Sequence, residues 1–556
     1  MGDRAGAAGN QHGRAQATAR GGPGRSAPGT PVAPSPGTMP EFEQYLRGRT
    51  LVLLSNREPY EHVAAEDAVP EAAPTVRRPA GGLVSALDPT LQRTRGTWVA
   101  WGSGSGDRAA SDAEGRLQVP PEDPRYTLRR VWLDKEDEEG YYQGFANSAL
   151  WPLCHMLLQH LDYHEEHWER YRLVNARFAD AAAEEAARAP GDPVVWVQDY
   201  HFALAPALLR ERLAERAPER AARAFVHQFW HIPFPPPDIF NLLPTEIHAE
   251  LLGGMLGNDL VEFHTERYAT NFMDCVAAFV PGAEVRREHH LVRHAGREVR
   301  VGAFPISIDV AHYERLAREA APAAAELRAR YAGDGRCLAL SVDRIDYTKG
   351  MPERLHAIDR LFEEAPDLRG CLTTLLVATP SRSELESYQT LEQEVLDAVD
   401  ALNARWGHEG WTPIVLEHRN VPAAELAGMY RAADVCLVSS LQDGMNLVAK
   451  EFVACQLDEH GVLLLSRLTG AAEEIDGAIL INPFNVDGVA GAIREALAMP
   501  LEDRRRRMRE MRAGLHRATI FDWLEAVLAR VDELAAGRAG GGPGAAAGAG
   551  AHPAAR

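Results

Sequence analysis

The sequence predicts an α/β protein of two doubly wound, Rossmann-like domains facing a central cleft. Three observations predict it. Short, almost wholly apolar runs alternate with helix-length segments, the pattern of buried parallel strands and their crossovers. The alternation occurs twice, separated by a polar, Ala-rich stretch reaching about Ala332. Several apolar runs end in charged residues, as suits strands whose carboxyl ends open on a ligand crevice.

Composition fits that architecture. A chain of 556 residues with 46% hydrophobic content has core for more than one domain. Its formal net charge of −20 argues against nucleic-acid binding, whose footprint is basic. An anionic ligand must then be held by a few local cations against an unfavourable overall field. Six scattered cysteines without Cys-x-x-Cys spacing read as reduced thiols. No run has the length of a membrane span and no apolar signal core follows the N-terminus, so a cytoplasmic protein is expected. Oligomeric state stays open, with a homo-oligomer allowed.

Residues 1–44, rich in Gly, Ala, Pro, Arg and Ser, are expected to be unstructured, because they cannot bury enough surface to offset their ordering entropy. The first domain is expected over 45–325 and the second over 326–515, with a helix over 516–535 returning to the first. Residues 536–556 form a second unstructured tail.

Thr50 to Asn56 reads as the first buried strand, with Arg57 at its carboxyl end, where an anion would gather. Gly81-Gly82, before a short helical pattern, allows close backbone approach to a phosphate, although a lone Gly-Gly is a weak signal. Tyr141 to Pro152 is an aromatic cluster carrying hydroxyl groups. His160, His164 and His167 have the spacing of one helix face; flanking glutamates favour a solvated face over a metal trio. Val194 to Val197 is a strand ending at Gln198-Asp199, and Asp199 there suits a sugar. Phe225 to Trp230 is another strand, ending at His231. The prolines from Pro233 forbid the zinc helix that His227 and His231 would otherwise suggest, which leaves His231 as a sugar contact. Arg300 to Phe304 closes the first series.

The second series begins at Cys337 to Val342, with strands near 372–378, 413–416, 434–438, 462–465 and 478–481. Arg344 and Lys349 leave the first of these strands in one turn, and Arg382 follows the next. The stretch from Leu441 to Glu451 follows the strand near 434–438. Gly444 is expected to make its sharp turn and Asn446 to cap the following helix. That helix would aim free N–H groups and its positive end at a diphosphate. Charge-assisted hydrogen bonds from Arg344 and Lys349, at about 1.5–3 kcal/mol each, should outweigh a dipole contribution of about 0.3–1 kcal/mol. Asp443 is placed for sugar hydroxyls and Glu451 for ribose.

Together these residues resemble the trehalose-6-phosphate synthase family, retaining glycosyltransferases of the two-Rossmann GT-B type in glycosyltransferase family 20. The resemblance runs from about Thr50 to about Trp523. It rests on Ser55-Asn56-Arg57, YYQGFANSALWP (141–152), QDYH (198–201), HIPFPPPDIF (231–240), DRIDYTKG (343–350), PSR (380–382) and DGMNLVAKE (443–451), of which DRIDYTKG and DGMNLVAKE are highly specific. It implies glucose transfer from a nucleoside diphosphate, UDP being the expected one, to glucose 6-phosphate, with no metal or other cofactor. Arg344, Lys349, Asp443 and His231 would serve the reacting centre. Gly81, Gly82, the Val421 backbone, Leu447, Val448, Ala449, Lys450 and Glu451 would join Arg344 and Lys349 on the nucleotide-sugar. Arg57, Tyr142, Trp151, Asp199 and Arg382 would hold the acceptor.

Gln198 and Gln442 depart from the family, which usually has His and Arg there. Arg57-Glu58-Pro59-Tyr60 is similar to the glucosylglycerol-phosphate synthases, which leaves glycerol 3-phosphate as an alternative acceptor. The YYQGFANSALWP block and FPISID (304–309) favour the trehalose branch. A non-catalytic regulatory subunit would be expected to lack Arg344, Lys349 or Glu451, and all three are present.

Overall fold

The computed structural model describes residues 42–64, 74–78, 82–333, 335–382 and 384–540. Most of each tail expected to be unstructured, and Gly81, lie outside these residues. The first half builds β1 (Arg49–Ser55), β2 (Glu61–Val63), β3 (Thr75–Arg77), β4 (Thr97–Trp101), β5 (Arg116–Val119), β6 (Tyr126–Val131), β7 (Asp192–Gln198), β8 (Phe225–Phe229), β9 (Leu260–Phe263), β10 (Glu284–Arg286), β11 (Leu291–His294) and β12 (Arg297–Ala303). Ten of these form one sheet in the order β10-β11-β12-β9-β8-β7-β1-β4-β6-β5, while β2 and β3 pair separately. The central pairings are parallel; β5 and the β10–β11 hairpin attach antiparallel at the two edges. The second half builds β13 (Cys337–Arg344), β14 (Leu372–Thr379), β15 (Ile414–Glu417), β16 (Val435–Val438), β17 (Val462–Ser466) and β18 (Ile479–Ile481). They form an all-parallel sheet, β15-β14-β13-β16-β17-β18.

Both central regions are apolar at nearly every position because helices cover both faces. β8 and β9 are buried throughout, and the polar side chains they carry are hydrogen-bonded: His227 Nδ1 lies 3.0 Å from Glu262 Oε2, and Gln228 Nε2 donates to the Asp199 carbonyl at 3.1 Å. The strand order reverses between β7 and β1 in the first sheet and between β13 and β16 in the second. These are the switch points where an open α/β sheet leaves a crevice at its carboxyl edge.

Four features differ from the sequence expectation. The block from Glu138 to Leu150 is a π-helix. Asn147 Nδ2 and Ser148 Oγ each donate to the carbonyl five residues earlier, at 2.7 and 2.8 Å. The three histidines do not share a helix. His160 ends a short turn, His164 precedes the Glu165–Arg188 helix, and the His167 ring packs against Gly144, where a Cβ would meet it at 2.5 Å. The chain around Phe42 is ordered, with that ring fully buried. The C-terminal helix runs from Ile520 to Gly540, past the expected end at 535. It lies on the first half. Tyr45 donates to Glu525 at 2.7 Å, Arg49 pairs with Asp532 at 2.5 Å, and Trp523 sits 5.3 Å from Phe229 and donates to the Phe304 carbonyl at 3.2 Å. Charge in its last turns is paired, Arg538 with the buried Asp259, and this carries the helix beyond the point where Gly and Ala dilute its apolar pattern.

Candidate active site

In the second half the site starts at the ends of β13 and β16. Asp346 opens a turn by accepting from Thr348 N at 3.0 Å and Thr348 Oγ1 at 2.8 Å. Gly350 closes it at φ +63°, in the left-handed region that favours glycine. Lys349, between them, reaches Asp443 across the switch point, Nζ to Oδ2 2.6 Å. Asp443 also accepts from Asn446 Nδ2 at 3.1 Å and Ser440 Oγ at 3.3 Å. Burial alone would raise the Asp443 carboxyl, but the Lys349 ammonium holds it below the usual carboxylate range. Asp346 is likewise held well below that range by Arg382, Arg344 and Lys349 in spite of complete burial. Arg344 Nη1 lies 3.4 Å from Ser381 Oγ.

Asn446 caps the Leu447–Cys455 helix, accepting from Ala449 N at 3.0 Å. The Leu447 and Val448 N–H groups have no intrahelical acceptor, so this end can bind an anion. The turn before it is made by Asn446, at φ +89°, and not by Gly444. Gly444 has a different reason to be glycine: a Cβ there would collide with the His231 carbonyl oxygen. Glu451 accepts from Tyr313 at 2.8 Å and Tyr430 at 2.9 Å, and burial raises its carboxyl. The Lys450 side chain turns away from this cluster, donating to the Ile306 carbonyl at 2.7 Å and to Glu474 at 2.6 Å, so only its backbone remains for a ligand. Val421 is buried in the loop after β15, and Gly82 is the first residue of the Gly82–Thr94 helix.

The first half contributes the loops after β1 and β7. Asp199 has φ +70°, and its Oδ1 accepts from Tyr200 N at 2.9 Å and His231 N at 3.1 Å. Burial pushes its carboxyl up to about 7 despite those bonds. Gln198 Oε1 lies 2.8 Å from His231 Nε2, and burial lowers that imidazole far below its ordinary value. Arg382 comes from the second half, at φ +50°. Its guanidinium donates to Asp346 at 2.9 Å, bonds Tyr388, and lies 4.1 Å over the Trp151 ring. Tyr142, on the π-helix, is half-buried, which would raise its phenol; the charges of Arg382, Arg57 and Arg344 lower it instead. The His201 ring stacks on Tyr142 at 5.8 Å and is driven down to about 3 by burial and by Arg382 and Arg57.

The structure therefore gathers the sequence-derived candidates into two adjoining groups. Lys349, Asp443 and the capped helix form one. Arg57, Tyr142, Trp151 and Arg382 form the other, with Arg344 in electrostatic reach of Tyr142 from its side of the cleft. Sequence reasoning missed Arg354, a fully buried guanidinium that binds Asp343 at 2.7 Å, Ser439 at 2.8 Å and the Lys349 carbonyl at 3.1 Å. It also missed Tyr268, which donates to the Asp443 carbonyl at 3.2 Å from the other half, and His155, which donates to the Trp151 carbonyl at 2.7 Å. The one signal for Arg354 was a cation within an otherwise apolar helix face.

The family model for Glycosyltransferase family 20 matches residues 49–533. Trehalose-6-phosphate synthase of Mycobacterium avium is 39% identical over 486 residues, covering 86% of this chain and 94% of that protein. A bifunctional trehalose-6-phosphate synthase/phosphatase of Thermoproteus tenax is 38% identical, and the chain spans 62% of its length. Among solved structures, trehalose-6-phosphate from E. coli bound with UDP-2-fluoro glucose aligns with TM-score 0.74 and 31% identity over 87% of this chain and 99% of that one. A UDP-forming α,α-trehalose-phosphate synthase from Burkholderia xenovorans in complex with glucose-6-phosphate aligns with TM-score 0.73 and 31% identity over 86% and 99%. Two doubly wound sheets meeting at their switch points, with the family match across nearly all the described residues, give a GT-B enzyme: the chain belongs to glycosyltransferase family 20.

Proposed function

We propose that the protein transfers glucose from a nucleoside-diphosphate glucose, with UDP as the nucleotide, to glucose 6-phosphate, giving α,α-trehalose 6-phosphate with retention. The observation that carries this reading is the pairing of two cationic groups in one cleft of a chain with net charge −20. Arg344 and Lys349 lie beside a capped helix start, which suits a diphosphate. Arg57 and Arg382 lie around an aromatic pocket of Tyr142 and Trp151, which suits a sugar phosphate. The named ligands of the E. coli and Burkholderia structures, a UDP-sugar and glucose-6-phosphate, support the same division.

In this reading Arg344 and Lys349 stabilise charge on the departing diphosphate. Asp443, already accepting from Lys349, Asn446 and Ser440, is a weak nucleophile and a good anchor for sugar hydroxyls. That favours departure and attack on one face over double displacement through a carboxylate. Asp199 and His231 hold the sugars, and Glu451 the ribose. In the segment that suggested glycerol 3-phosphate, Glu58 and Tyr60 are buried and bonded to Arg130 and Asp88, which supports the hexose reading.

The test is a matrix of UDP-, ADP- and GDP-glucose against glucose 6-phosphate and glycerol 3-phosphate, with the anomeric configuration of the product read by NMR. The expected result is a kcat/KM for glucose 6-phosphate at least about 10²-fold above that for glycerol 3-phosphate, since a smaller acceptor leaves polar groups of the pocket unpaired. Preference for glycerol 3-phosphate would overturn the acceptor assignment.

A further inference from the structure

From Leu51 to Tyr60 every residue is buried except Arg57. The chain on either side of that exposed cation is pinned. Ahead of it, Ser55 Oγ donates to the Arg57 carbonyl at 2.7 Å and accepts from Trp98 Nε1 at 2.8 Å, while Tyr141 donates to Asn56 Oδ1 at 2.9 Å. Behind it, Glu58 enters a sealed polar cluster centred on Arg130 of β6. Arg130 Nε donates to Glu58 Oε2 at 2.8 Å. Its Nη1 donates to the Asp107 carbonyl at 3.0 Å and Ser111 Oγ at 3.1 Å. Its Nη2 donates to the Tyr60 carbonyl at 2.8 Å, lies 2.8 Å from Asp107 Oδ1 and contacts His62 Nδ1 at 2.7 Å. Ser103 N donates to Glu58 Oε1 at 3.3 Å, and His62 N and Gly104 N donate to Asp107 at 2.8 and 2.6 Å. One guanidinium thus ties the loops after β1 and β4 to β6.

Such a cluster is a poor source of stability, because burying its charges offsets what they gain from one another, and apolar residues of equal volume would serve as well. What it supplies is a fixed geometry. We propose that Glu58 and Arg130 are positioning residues for the acceptor phosphate: they set the backbone from which Arg57 enters the pocket of Tyr142 and Trp151. The proposal rests on the reading of Arg57 as a phosphate ligand. Burial and the neighbouring Asp107 push the Glu58 carboxyl up to about 9, against the pull of the Arg130 guanidinium. Glutamine keeps an oxygen to accept from Arg130 Nε but loses the bond from Ser103 N, toward which it turns its amide NH2; alanine loses both.

The experiment is a double-mutant cycle of Glu58→Ala and Arg57→Ala, with KM measured separately for the nucleotide-sugar and for glucose 6-phosphate. Glu58→Ala should raise the acceptor KM about tenfold, the scale of a weakened charge-assisted hydrogen bond, and leave the donor KM unchanged. In the Arg57→Ala background it should add nothing, because its effect runs through Arg57. Glu58→Gln, which keeps the Arg130 bond, should recover most of the acceptor KM that Glu58→Ala loses. If Glu58→Ala does not fold, Glu58→Asp, too short to serve both Arg130 and Ser103, should shift the acceptor KM in the same direction. Additive effects in the cycle, or equal rises in both KM values, would overturn the proposal while leaving the phosphate reading intact. An Arg57→Ala variant with unchanged acceptor KM would overturn both.

Discussion

Lys349 lies where a turn from β13 meets the loop from β16, and its 2.6 Å bond to Asp443 shows how close those loops come. Lys349→Ala should lower kcat by about 10²–10³-fold, the scale for losing one preorganised charge donor. Near-normal turnover would show that this ammonium does not face the leaving group. Asp199 gives a second prediction, with a sign. Its carboxyl titrates near 7, raised from an ordinary 3.8 by burial. The carboxylate accepts sugar hydroxyls better than the neutral acid, so kcat/KM for the acceptor should rise with pH through about 7. Asp199→Asn should flatten that step. Stability moves oppositely, since a raised carboxyl protects the fold at low pH and loses that contribution as pH climbs through its folded value. Residue types at strand ends made Arg344, Lys349, Asp443 and Asp199 legible in the sequence. Arg354 showed only as a cation on an apolar helix face, and Glu58 and Arg130 not at all, because a buried ion pair has no pattern until its members, scattered along the chain, are brought together.

At the scale of elements, the capped helix was readable in sequence and its entry was not. Asn446 caps it as the spacing predicts, yet Asn446 also takes the positive φ that the sequence assigns to Gly444. Spacing cannot distinguish a glycine needed for its dihedral from one needed for room, and here the room is for the other half of the molecule. Asn446→Ala should cost about 1 kcal/mol, typical of a lost N-cap. It also removes one donor from Asp443, so the donor KM should rise along with the fall in thermal midpoint. An unchanged donor KM would confine Asn446 to a structural role. The π-helix was hidden for another reason: its aromatic residues serve core and pocket at once, and a pitch of i to i+5 leaves no 3.6-residue stripe to read. The β10–β11 hairpin escaped notice because it is short and charged, as an edge strand should be.

For the whole molecule, the two sheets could be expected from alternation alone, but how they meet could not. Tyr268 bonds to the Asp443 carbonyl and accepts from Gln442 at 3.2 Å, Lys450 holds the Ile306 carbonyl, and His160 stacks on Tyr347 at 3.9 Å. Tyr268→Phe should lower stability by about 0.5–1.5 kcal/mol and weaken nucleotide-sugar binding, because it frees the loop bearing Asp443. A thermal midpoint and a donor KM that both match the parent would refute this. The partial burial of Arg344, Lys349 and Arg382 has a kinetic consequence. Both substrates are anions, and they must approach a surface whose summed charge is −20. Beyond a Debye length of about 10 Å at 0.1 M salt, they meet repulsion, and the attractive groups act only once the ligand is inside the cleft. Added salt screens the long-range field more than the short contacts. The association rate of the nucleotide-sugar should therefore increase from low to moderate ionic strength, the reverse of electrostatic steering, before weakened contacts raise its dissociation rate.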